Sequence, residues 1–86
     1  MKKLLIEDEQ EGLLTLMGKR ITLFCVNYIY TGELVGVSDT CVKLSEAAIV
    51  FETGEFDSKE WTDAQALPHD CFYVQLSAVE AFGELK

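Results

Sequence analysis

From Lys19 onward the apolar positions recur every second residue. Ile21, Leu23 and Cys25 fall on one side of an extended segment, and Thr22, Phe24 and Val26 on the other, which predicts a strand over about 19–26. Asn27-Tyr28 supplies a tight connection into a second run over 29–37, interrupted by Gly32 and Gly36. Glycines inside a strand mark bends or close backbone approach, as the corners of a small barrel require. Ser38-Asp39-Thr40 is turn chemistry, and a third strand follows over 41–51. The stretch 52–70 is polar and holds the only proline, so it reads as a variable loop, with Trp61 and Phe56 expected to fold part of it back onto the strands. Strands over 71–76 and 78–82 complete a set of five, separated by a break at Ser77-Ala78.

Ahead of Lys19 the period is different. Ile6, Leu13, Leu14 and Met17 follow helical spacing, Asp8 suits an N-cap with Glu11 three positions on, and Gly18 suits a stop, so a helix is expected over about 8–17. Gly12 within it lowers helical stability by about 1 kcal/mol relative to alanine, so packing against the strands must hold it.

Composition changes this picture in three ways. At 86 residues the chain reads as one domain with a thin core, while 49% hydrophobic residues exceed what so small a barrel can bury alone, so self-association is expected. The apolar start Leu4-Leu5-Ile6 stops at Glu7-Asp8-Glu9, which is too short for an export signal or a membrane span, and cytoplasmic residence is the expectation. Cys25, Cys41 and Cys71 form no CxxC pair and read as reduced structural thiols.

A net charge of −8 opposes casual nucleic-acid binding, but it is concentrated at Glu7–Glu11 and in residues 52–70, leaving the strand framework near neutral. His69, in Pro68-His69-Asp70, lacks the companions of a zinc site. Neither a phosphate-cradling glycine loop nor a paired nucleophile and base is present, so no enzyme, cofactor or metal is expected.

Two segments carry a family likeness. Gly32, Leu34, Asp39, Val42 and Leu44 resemble the first signature of the Sm and Sm-like proteins, whose bacterial version is Hfq. The run Phe72-Tyr73-Val74-Gln75-Leu76-Ser77-Ala78-Val79-Glu80-Ala81-Phe82 resembles the second. The likeness covers roughly residues 13–46 and 71–82. It implies a small, strongly bent, five-stranded SH3-like barrel of the Sm fold behind an N-terminal α-helix. It also implies a homo-oligomeric ring of about five to seven subunits in which the fourth strand of one subunit pairs with the fifth of the next. Val74, Leu76, Val79 and Phe82 would then lie at the subunit interface.

The same likeness implies single-stranded RNA near the ring's pore, in RNA processing or regulation, with Asp39, Thr40, Lys43, Gln75 and Ser77 as contacts. The sequence departs from the family at telling places: neither Cys41 nor Val42 carries the base-reading amide, Gln75-Leu76 stand for arginine-glycine, and Val74 stands for the Hfq histidine. Tyr28 and Tyr30 suit either base stacking or packing. The alternatives are a structural or adaptor ring that binds protein through its acidic rim, and a monomeric SH3-like module that recognises peptides.

Overall fold

A computed structural model describes residues 4–7 and 11–85. Among them the chain forms six strands: β1 (Arg20–Cys25), β2 (Ile29–Val37), β3 (Cys41–Glu52), β4 (Asp63–Ala66), β5 (Cys71–Gln75) and β6 (Val79–Glu84). They make one antiparallel sheet in the order β4-β3-β2-β1-β6, with β5 also paired to β3. Since β2 occupies one edge of β3, β4 and β5 lie end to end along the other: Cys41–Ser45 pairs with β5 and Ala48–Glu52 with β4.

Between those halves the sheet bends sharply. Glu46 adopts a left-handed φ of 50°, a conformation that disfavours any side chain bearing a Cβ by about 1–2 kcal/mol. Across from it the β2–β3 register slips between Thr31 and Glu33, so β3 gains a residue over β2. Gly32 sits at that slip, where an added Cβ would lie 3.0 Å from the Ser45 carbonyl oxygen and 3.2 Å from the Ala47 Cα. The glycine is therefore needed for close approach of two backbones.

The bend encloses the core. Ile21, Leu23, Leu34, Val42, Leu44, Ala47 and Val74 project inward from alternate strand positions, and Leu13 joins them from ahead of β1. The opposite face of β1 is covered too. Trp61 folds back from the loop, donates its Nε1–H to Thr22 Oγ1 at 2.9 Å, and meets Phe24 edge-to-face with ring centroids 6.1 Å apart. Phe56, expected to fold back with it, instead stands 76% exposed.

Three expectations need correction. In place of a helix over 8–17, the described part of that segment holds a single 3-10 turn at Leu13–Leu16, while residues 8–10, with the proposed Asp8 cap, lie outside the described residues. Gly12 is the physical reason: its φ of 77° and ψ of −155° are incompatible with an α-helix passing through it. The strands number six, because Asp63–Ala66, assigned to the variable loop, pairs with β3. The loop is correspondingly shorter, 53–62. None of the helices among the described residues is long and apolar enough to cross a membrane.

Three strands pair on one side alone among the described residues, β6 with β1 and both β4 and β5 with β3, so each presents an unpaired backbone edge.

Candidate nucleic-acid interface

The β2–β3 turn is fixed by its own serine. Ser38 Oγ accepts the backbone N–H groups of Thr40 at 3.2 Å and Cys41 at 3.1 Å, while Ser38 N–H donates to the Cys41 carbonyl at 2.9 Å. A long-range bond then ties this turn to the end of β5: Leu76 N–H donates to the Thr40 carbonyl at 2.9 Å. Leu76 opens the 3-10 turn Leu76–Ala78 that links β5 to β6. Two segments remote in sequence are thereby held side by side.

What they frame is an open cleft of about 630 Å³, lined by Asp39, Thr40, Cys41, Tyr73, Gln75, Leu76 and Ser77. Four of the five residues expected to contact nucleic acid, Asp39, Thr40, Gln75 and Ser77, thus meet at one site. The fifth, Lys43, is the cross-strand partner of Tyr73, and its Nζ lies 5.8 Å from the centre of the tyrosine ring, within reach of a cation–π attraction. Among the described residues neither Lys43 nor Asp39 engages an ion pair, and Lys19–Glu84 at 3.6 Å is on another part of the surface.

Tyr73 is the functional candidate that sequence reasoning missed. Phe72 and Val74 turn inward on β5, with Val74 only 5% exposed, so Tyr73 and Gln75 turn outward beside Lys43 and Cys41 of β3. Tyr73 remains 59% exposed. The period-two pattern contains this signal, since placing Val74 in the core puts Tyr73 on the face of Gln75.

The proposed interface residues divide differently from expectation. Val74 is buried in its own subunit's core, and Leu76 and Val79 pack against that core, so what they offer a neighbour is backbone more than side chain. Phe82 is the most exposed of the four, at 40%. A charge placed at Val79 would therefore disturb the fold as well as any interface, and Phe82 is the cleaner probe.

Tyr28 and Tyr30 belong to a packed aromatic row: their rings lie 6.1 Å apart, Tyr30 meets Phe72 at 5.4 Å, and Phe72 meets His69 at 5.7 Å. Burial pushes the Tyr30 hydroxyl above its ordinary pKa, helped by Cys25 and then Tyr28. The Cys25 thiol, whose S–H points at the Leu23 carbonyl, is likewise pushed up, first by burial and then by Glu80. These groups stay neutral and structural at ordinary pH.

The cleft presents an aromatic ring, a carboxylate, an amide and hydroxyls, and the Lys43 ammonium stands beside it over Tyr73. Stacking rings next to positive charge are what single-strand binders use. Comparison with family models, with curated proteins and with solved structures finds no match for this chain.

Proposed function

We propose that the chain is an Sm-like subunit that assembles into a homo-oligomeric ring and binds single-stranded RNA on the pore side, its bent sheet forming the small barrel of that fold. The observation that carries the reading is the convergence of Asp39, Thr40, Gln75 and Ser77 on one cleft beside the Lys43–Tyr73 pair. The Thr40–Leu76 bond supports it, because it holds the two halves of the site before any ligand arrives.

Assembly finds its support in the free edges of β5 and β6. An unpaired strand edge invites pairing, and laying β5 of one subunit on β6 of the next satisfies both at once. Such a head-to-tail contact closes into a ring where the rotation permits. The ring repeats each Lys43 around its axis, so weak individual contacts gain from multivalency despite the net charge of −8. Reduced Cys25, Cys41 and Cys71 suit the cytoplasm. A ring that binds protein through loop 53–62 is the competing reading, favoured by the exposure of Phe56 on that acidic loop.

Light scattering combined with fluorescence anisotropy tests the reading. One species of about five to seven subunits is expected, binding labelled uridine-rich or adenine-rich oligomers at low salt with an affinity that falls steeply as salt rises. Lys43→Glu should abolish binding at unchanged mass, whereas Phe82→Glu should lower the mass. A monomer at micromolar concentration overturns the ring. A ring indifferent to every RNA and DNA oligomer transfers the function to the protein-binding alternative.

A further inference from the structure

We infer that the cleft selects guanine over the other bases; the inference rests on the single-strand reading above and names the base that reading leaves open. The selecting group is Asp39. An ionised carboxylate is acceptor-only, with two oxygens that can take two parallel hydrogen bonds. Asp39 is exposed at a turn that the Ser38 hydroxyl and the Thr40–Leu76 bond hold in place, and no partner engages its side chain among the described residues. It lines the same cleft as Tyr73 and Gln75.

The four bases differ in what they can offer such a group. Guanine alone presents two adjacent donors on its Watson–Crick edge, N1–H and the 2-amino group. Uracil presents one N–H between two carbonyl oxygens, which would face the carboxylate's charge. Adenine and cytosine each present one amino group beside a ring-nitrogen acceptor. An unpaired carboxylate therefore discriminates for guanine by attraction and against uracil by repulsion.

The rest of the cleft suits the same ligand. Tyr73 is 59% exposed even with the Lys43 ammonium 5.8 Å from its ring centre, so the side chain is accessible for a base to stack on. The Gln75 amide can donate to O6, the acceptor next to guanine's two donors. Lys43 supplies positive charge for the adjoining phosphate.

The test uses the intact oligomer at low salt and labelled uridine hexamers carrying one central guanine, adenine or inosine, with guanosine monophosphate as competitor. The guanine hexamer should bind about tenfold or more tighter than the adenine or all-uridine one, the scale of one good bidentate pair. Inosine lacks the 2-amino group and should lose most of that advantage. Asp39→Asn should level guanine with uridine, since its amide offers one acceptor and one donor; Lys43→Glu should abolish binding of every oligomer alike. Competition by the free nucleotide at matching concentrations assigns the site to a guanine nucleotide, and failure to compete assigns it to guanine within a strand; either supports guanine selection. If the hexamers bind without guanine preference, or Asp39→Asn leaves the preference intact, guanine selection falls while the RNA reading stands. If neither hexamer nor nucleotide binds, both fall.

Discussion

Replacing Trp61 by phenylalanine keeps an aromatic ring near Phe24 but removes the indole N–H that Thr22 Oγ1 accepts at 2.9 Å. Thr22 is only 3% exposed, and no buried side-chain polar atom among the described residues lacks a partner, so the variant creates an unsatisfied group where there was none. A lost hydrogen bond and a stranded buried hydroxyl are together worth about 1–3 kcal/mol. Trp61 is half-buried, so water can reach part of the space it leaves, and a loss of about 1–2 kcal/mol is expected. That is roughly a 1 M drop in the urea midpoint for a chain this small. Thr22→Val removes the other partner and leaves an indole N–H on a half-buried side chain that can shift toward water, so it should destabilise by about 1 kcal/mol or less. The double variant lacks both polar partners and should fall short of the sum by about 1 kcal/mol.

Far-UV circular dichroism in urea measures all four proteins at one subunit concentration, because self-association would otherwise enter the comparison. As a control, trimming residues 55–60 should leave the midpoint nearly unchanged, since loop length contributes little. If the two single changes add to within about 0.3 kcal/mol, Trp61 does not hold the loop to β1 through this bond.

Two further perturbations probe the bend and the buried thiol. Gly32→Ala should destabilise by about 1–3 kcal/mol, because its Cβ would press on the Ser45 and Ala47 backbone, while Gly36→Ala, which meets only the Lys43 side chain from 3.4 Å outward, should be tolerated; thermal melts of the pair decide. Stability should decline as pH rises above about 8.5, where an unfolded thiol loses its proton while folded Cys25, its pKa raised by burial and Glu80, keeps it. Urea titrations from pH 7 to 10 should show Cys25→Ala flattening that slope, and an equal slope in the variant would refute the assignment.

Much of the strand framework is legible in the sequence for a physical reason. β2 begins and ends at Ile29 and Val37 as expected, because turn residues flank an alternating run on both sides. β4 is not legible: Asp-Ala-Gln-Ala is exposed along its whole length and owes its extension to the β3 ladder alone. Leu13, Leu14 and Met17 satisfy helical spacing without forming a helix, because burying Leu13 needs only one 3-10 turn once Gly12 takes a positive φ. At the site, the Ser38 turn is written in local chemistry, whereas the Thr40–Leu76 bond joins residues 36 apart and leaves no local trace.

Under the proposed function, the geometry of β5 would let assembly and recognition be altered separately. A strand has three directions to spend. Its inward side chains, Phe72 and Val74, serve the subunit's own core. Its backbone edge, lying in the plane of the sheet, is free among the described residues on the side away from β3 and is what a neighbouring β6 would pair with under the proposed assembly. Its outward side chains, Tyr73 and Gln75, stand roughly perpendicular to that edge and face the cleft with Asp39 and Thr40. Pairing through backbone groups depends little on which outward side chains are present, so Asp39→Asn and Lys43→Glu should change what binds while leaving the oligomer's mass intact. The core separates from both by the same period of two: a substitution at Val74 should lower stability and assembly together, because it is the one direction on which the other two depend.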